Sequence, residues 1–178
     1  MSSGAGMHYY NTKVVKNGDN GSINPCFLHF KICLKGVGRV NNRFSSTSYH
    51  GLDAKNRIFI PVGSREALGE TVYVFRQKGE KGNCLRLYTA EHFDKLAQKY
   101  NDMEDEALTV EEIEAAAEIS RSFFGYVDDV KMDKQGRITL SAVQLRHAGI
   151  EGEVAIIGMG NRIEVWNRET WDKKMGYI

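Results

Sequence analysis

The chain lacks any apolar run near the ~18 residues that a membrane-spanning helix requires. Its best candidate, CFLHFKICL at Cys26–Leu34, is short and is interrupted by His29 and Lys31. It also lies deep in the chain without a small-residue cleavage site, so it is not expected to act as a secretory signal. Cysteine is scarce: Cys26, Cys33 and Cys84 form neither a metal-binding spacing nor an even disulfide framework. They read as reduced thiols of a cytosolic protein. Net charge is nearly absent at +1 in 178 residues, which suggests no partner until the chain is divided. Residues 1–46 carry six Lys/Arg and one Asp, and residues 101–129 carry one Arg against ten Asp/Glu. The stretches 47–100 and 130–178 are net +3 and +2. Acid is thus concentrated between two mildly basic segments, a segregation that permits a polyanion on one face.

Those two basic segments write the same sentence twice. GLDAKNRIFIP (Gly51–Pro61) and KMDKQGRITLS (Lys131–Ser141) place Asp53 and Arg57 eighty residues before Asp133 and Arg137. Each arginine leads into an alternating strand pattern. In the first copy Pro61 ends the strand. GSREALG follows as a short helix, with Ser64 at its start and Gly69 closing it in a left-handed conformation. Strands Thr71–Gln77 and Asn83–Thr89 complete the copy. A helix begins at the Thr89 cap, and another at Thr109 with Glu112 in a capping box. On the latter, Ile113, Ala116, Ala117, Ser120, Phe123 and Phe124 share a face, suited to packing on the rest of the chain or to a subunit contact. The second copy then repeats the order of strand, turn, strand, helix and hairpin. Leu68-Gly69 aligns with Ala148-Gly149 at the same offset of 80, and Val72 and Val74 align with Val154 and Ile156 at 82. The chain is therefore expected to contain an internal duplication. Its segments are 47–89 (first repeat), 90–125 (helical connector), 127–170 (second repeat) and 171–178 (short tail). Residues 1–43 form a Gly-, Asn-, Ser- and Lys-rich extension expected to lack order.

The fourth slot of the repeated turn is Asn56 or Gly136, the residues that best tolerate positive φ. Asp53 and Asp133 can accept backbone N–H groups within the turn. Two readings of the arginines stay open. Each can pair with its own aspartate and hold the loop, or it can point outward. Lys55 with Arg57, and Lys134 with Arg137, would then present cations at a rigid hairpin tip, and Arg can contact guanine O6/N7 or phosphate bidentately. Arg65 and Arg146, in the short helices, suit either solvent or ligand; Arg76 and Arg86 read as ordinary surface charge. An enzyme would draw on His50, His92 or His147 and on Asp128-Asp129. No histidine recurs between copies, however, and neither a nucleophile elbow nor a metal spacing is present. The expectation is a DNA-binding protein, not an enzyme, with no cofactor, metal or small-molecule substrate. An oligomer that binds a protein partner, structural or, as the resemblance given below implies, antitoxin-like, is the alternative.

YHGLDAKNRIFIPVGSREALG, LRLYTAEHFDKL and VKMDKQGRITLSAVQLRHAGIEGEVAIIGMGNRIEVWNRETW together resemble the MraZ family of bacterial transcriptional regulators. The resemblance runs from Phe44 to the C-terminus, and single-copy relatives would be AbrB-like regulators and MazE-like antitoxins. It implies an α+β, mainly β fold: a swapped-hairpin β-barrel built from two SpoVT-AbrB-type repeats, with helices between and after them. It also implies homo-oligomeric rings and binding to double-stranded DNA at tandem G-rich promoter repeats upstream of the division and cell-wall gene cluster, including the chain's own gene. The setting would be cytoplasmic and nucleoid-associated, away from membranes, with Arg57 and Arg137 on the DNA surface. The sequence departs from the family pattern in three ways: the extra residues 1–43, a tail cut short at Ile178, and Ser141 where the first copy has Pro61. Initiation near Val37 or Val40 is the expectation for the first.

Overall fold

Residues 44–80 and 82–178 are described by the computed structural model. The expectations for residues 1–43, including the start near Val37 or Val40, and those for Cys26 and Cys33 lie outside the described residues. The elements run β1 (Phe44–Gly51), β2 (Arg57–Phe59), α1 (Val62–Leu68), β3 (Thr71–Gln77), β4 (Cys84–Thr89), α2 (Ala90–Asp105), α3 (Val110–Phe124), β5 (Val127–Lys131), β6 (Arg137–Thr139), α4 (Ala142–Ala148), β7 (Glu153–Gly160), β8 (Ile163–Asn167) and α5 (Arg168–Met175). No helix of the described residues is long and apolar enough to cross a membrane.

Six strands form an antiparallel sheet in the order β1-β7-β8-β4-β3-β5, and β2 pairs with β6 as a separate ribbon. The first strand of each copy pairs with the hairpin of the other: β1 lies on β7 and β5 lies on β3. The fold is α+β with an antiparallel sheet. Its ladder ends at β1 and β5, so the described strands do not close into a barrel. β1 begins at Phe44, earlier than the strand pattern from Tyr49 suggests, because Ser45–Ser48 hold it through backbone pairing along the sheet edge rather than through apolar alternation. That pairing brings the backbones close. A β-carbon at Gly158 would lie 2.5 Å from the Ser45 nitrogen, so only glycine fits there.

The core is shared by the two copies. Ile58 faces Ile138 in the β2–β6 ribbon. Ile60 and Leu140, Val72 and Val154, and Val74 and Ile156 join them in one buried cluster. Leu85 and Leu87 of β4 sit opposite Val165 and Ile163 of β8, closing the centre of the sheet. Each such side chain stabilises by roughly 1.5–3 kcal/mol on full burial. A second cluster gathers Cys84, Ala155, Ile157, Trp166 and Trp171, the last brought in by α5. Burial pushes the Cys84 thiol up to about 12. In the native protein the peptide carrying Cys84 should therefore escape iodoacetamide at pH 8 and should label fully in denaturant, as mass spectrometry of a digest would read.

Helix starts follow local chemistry, with one difference from expectation. Thr89 and Thr109 cap α2 and α3, and Thr109 with Glu112 makes the capping box. Ser64 does not cap α1; Pro61 is the N-cap and offers no side-chain bond. Its counterpart Ser141 does cap α4, in a box with Gln144. Proline presets the entry dihedral in one copy, and serine supplies the missing acceptor in the other. On α3, Ala116, Ser120 and Phe123 are buried, whereas Ile113 and Phe124 are exposed. Phe123 stacks on Tyr100 at 4.2 Å, and Phe93 stacks on Tyr73 at 4.0 Å.

Candidate nucleic-acid interface

The two turns are built alike. In the first, the Lys55 and Arg57 backbone N–H groups donate to Asp53 Oδ1 at 2.8 and 2.9 Å, and Arg57 Nε donates to Asp53 Oδ2 at 2.7 Å. In the second, Gln135 and Arg137 N–H donate to Asp133 Oδ1 at 2.9 and 3.0 Å, and Arg137 Nε donates to Oδ2 at 2.8 Å. Both Nη2 groups lie 2.7 Å from the same Oδ2. Asn56 and Gly136 close the turns at φ 58° and 78°. The aspartate thus orders the turn, and each arginine is paired with it while keeping part of its surface in solvent, 25% for Arg57 and 17% for Arg137. Pairing through Nε and one Nη2 hydrogen leaves the outer Nη1/Nη2 edge of the fork without a partner from that carboxylate, and that edge is the one able to bond bidentately to a base or phosphate.

Each turn is framed by the opposite copy. Leu140 N–H donates to the Asn56 carbonyl at 2.8 Å, and Ile60 N–H donates to the Gly136 carbonyl at 2.9 Å. Leu52 N–H donates to Gly152 and Met132 N–H to Glu70, both at 2.8 Å. The end of α4 therefore lies at the first turn and the end of α1 at the second. Between them the ribbon pairs Arg57 with Thr139 and Phe59 with Arg137. With Ile58 and Ile138 turned inward, those four side chains share the outer face. Phe59 is 41% exposed, and the Arg137 guanidinium lies 5.7 Å from its ring centre. Lys55, Lys134 and Arg146 are exposed, whereas Arg65 is half-buried and donates from Nε to the Ile60 carbonyl at 2.7 Å. Two-stranded β-ribbons are among the elements that the DNA major groove admits.

The electrostatics agree with the geometry. The Arg57 side-chain hydrogen bond, helped by the Arg57 and Lys55 backbone N–H groups, brings the Asp53 carboxyl down from 3.8 to about 2. Arg137 lowers Asp133 in the same way. A carboxyl depressed in the folded state stabilises it above the unfolded pKa, and that contribution fades as pH falls through the folded one. The stability supplied by Asp53 should therefore be nearly complete above about pH 5 and fade as pH falls through 3.8 towards about 2. Asp53→Asn should flatten acid unfolding, followed by circular dichroism, in that window.

Gly136 is buried where Asn56 is exposed. A β-carbon at Gly136 would lie 2.2 Å from Arg65 Nε, so the arginine of α1 rests directly on the second turn. Gly136→Ala should cost at least about 1–2 kcal/mol from its left-handed conformation, and displacing Arg65 adds to that. Asn56→Gly should change stability by less than about 1 kcal/mol, because no such neighbour is lost. Urea denaturation of the two variants reads the difference.

Other sequence candidates do not converge. His50 contacts Ser48 Oγ, His92 stacks on Tyr88, and His147 Nε2 meets the Gln77 carbonyl. Asp128 accepts from the buried Gln144. Among the described residues no group of three or more His, Cys, Asp or Glu could hold a metal ion. Arg76 and Arg86 are more than surface charge. Arg76 Nη2 donates to the Gly125 carbonyl at 2.7 Å and lies over Tyr126. Arg86 lies 3.3 Å from Glu164, a carboxylate only 8% exposed that also accepts from Arg162 Nε and Trp166 Nε1. Glu164 was legible only as one letter inside the RIEVW strand.

Comparison with known proteins gives a consistent result. Residues 44–113 and 123–177 match the family model described as "MraZ protein, putative antitoxin-like". A Heliobacterium modesticaldum protein named "Transcriptional regulator MraZ" is 38% identical over 130 residues, covering 73% of this chain and 85% of the relative. A protein of the same name from Finegoldia magna is 34% identical over 130 residues with the same coverage. One from Legionella pneumophila is 35% identical over 126 residues, covering 69% of this chain and 78% of the relative.

Proposed function

This chain belongs to the MraZ family of transcriptional regulators, and from that premise we propose that it binds double-stranded DNA through the β2–β6 ribbon and its two turns. The observation that carries this reading is the shared outer face of Arg57, Phe59, Arg137 and Thr139, with each guanidinium steadied by an aspartate. In this reading Asp53 and Asp133, with Asn56 and Gly136, fix the turns. Lys55, Lys134 and Arg146 position the duplex on its phosphates, and Arg57 and Arg137 read guanines through their free edges. Arg65 stands at the second turn.

We read the exchange of β1 and β5 between copies as a swapped-hairpin arrangement made within one chain, its sheet left open at β1 and β5. The sites would be tandem G-rich repeats upstream of the division and cell-wall gene cluster, including the chain's own gene, with the protein working at the nucleoid. One ribbon offers few contacts, so a homo-oligomeric ring engaging several repeats would gain about 10²–10⁴ in avidity where the spacing fits. The exposed Ile113 and Phe124 of α3 are available to such an assembly. The repeat boundaries 47–89 and 127–170 then mark two halves of a single binding unit.

A footprint of the purified protein on the region upstream of its gene tests the reading. Protection should fall on repeated elements, and log affinity should fall linearly with log salt, by about 0.9 per neutralised phosphate. Affinity indifferent to salt, with no protected element, contradicts it. A second reading, an antitoxin-like module with a protein partner, draws on the family's description and on the exposed Leu108 and Ile119 beside the α2–α3 groove. A toxin gene adjacent to this one, rather than cell-wall genes, would favour it.

A further inference from the structure

The two ends of the ribbon are chemically unequal, and the inequality has a specific residue behind it. Arg57 and Arg137 each spend part of their charge on an aspartate. Arg65 does not: its Nε is held by the neutral Ile60 carbonyl, and among the described residues no ion pair joins it to a carboxylate. Its side chain lies across the second turn so closely that Gly136 is covered and a β-carbon there would meet Nε, Cζ and Cδ at 2.2, 2.4 and 2.5 Å. The first turn has no equivalent. At an offset of 80 the counterpart of Arg65 is Leu145, partly buried and packed on the core, and the counterpart of Gly136 is the exposed Asn56. The second turn also has Glu66, Glu70 and Lys134 along a 410 Å³ groove with Arg65 and Asp133. The first turn instead has the end of α4, with Arg146.

We propose that Arg65 is a specificity-determining residue that makes the interface directional, reading one half of an asymmetric DNA element beside Arg137, while in the other half Arg57 is the sole base reader and Arg146 stays on the phosphates. This deepens the DNA-binding reading above and rests on it. The Nε bond to Ile60 fixes the guanidinium plane and leaves both Nη groups for a guanine edge, the bidentate contact lysine cannot make. Two nearly equivalent repeats would otherwise offer a duplex two interchangeable orientations. One arginine supplied by only one copy removes that equivalence.

The test is a base-substitution scan of a single footprinted element, with every pair replaced in turn. Affinity of the full chain is measured at fixed salt for wild type, Arg65→Leu and Arg65→Gln. Leucine reproduces the residue at position 145, and glutamine keeps a donor for the Ile60 carbonyl without the charge. For wild type, the costly positions should be more numerous in one half. In both variants one or two positions of that half should lose their cost of about 5- to 100-fold, with the other half unchanged. A uniform drop across the scan would reduce Arg65 to a phosphate or packing role and overturn the proposal, as would an unchanged profile. Either result leaves salt-dependent binding of the element intact, so failure here is distinguishable from failure of the DNA-binding reading, in which wild type itself would not discriminate among the substituted elements.

Discussion

Arg57→Ala combined with Arg137→Ala should weaken binding to the upstream elements at least about a hundredfold in fluorescence anisotropy at fixed ionic strength. Each arginine that reads a base contributes on the order of 1–3 kcal/mol per site, and an assembly that engages several sites multiplies the deficit. The fold should survive the change. Asp53 Oδ1 and Asp133 Oδ1 keep their backbone donors at the turns, and Ile58 and Ile138 remain buried beneath. Charge and fork geometry can be separated: Arg57→Lys with Arg137→Lys keeps the charge and loses the fork, so it should retain the salt slope but bind substituted and native elements more alike. Arg121→Ala, on α3 and paired with Glu118, should leave binding unchanged. A double alanine variant within about threefold of wild type would remove these arginines from the interface.

Ile58→Ala together with Ile138→Ala should be the most damaging pair for stability. Both side chains are fully buried and face one another where the two copies cross. Single Ile→Ala changes in such cores cost about 2–5 kcal/mol. Because the residues share one cavity, their effects should not add simply. Against the ~5–15 kcal/mol typical of a domain, the double variant should be largely unfolded in urea titrations that wild type withstands. Wild type itself should unfold in a single transition, since β1 and β5 each pair with the other copy's hairpin and neither repeat has a complete sheet alone. Two resolved transitions in wild type would contradict a shared core.

Much of this was legible in the sequence because it is local. The offset of 80 between Asp53–Arg57 and Asp133–Arg137 announces the duplication, and Asn56 and Gly136 announce the tight turns. Thr109 with Glu112 announces a helix start. What escapes is non-local. Nothing in FSSTSYHG says that its partner is EVAIIGMG, about a hundred residues on; that pairing is decided by the closing of a common core. The spacing of Asp and Arg fits equally a turn-holding pair and an outward cation, and in the structure each arginine pairs with its aspartate while keeping part of its side chain in solvent. Arg65 and Arg86 look alike as letters. Only the fold puts one across Gly136 and the other beside the buried Glu164. The α3 stripe reads as one face, but the packing of Phe123 into the Phe93–Tyr100 stack turns Ile113 and Phe124 to solvent.

The most direct test of the ribbon as the docking surface is site-specific photo-crosslinking. A benzophenone amino acid replaces either Phe59, on the outer face of the ribbon, or Leu108, 89% exposed between α2 and α3. Irradiation of each protein with the footprinted duplex should yield a protein–DNA adduct from position 59 and none from position 108. An adduct from position 108 with none from position 59 would place the DNA elsewhere and contradict the account.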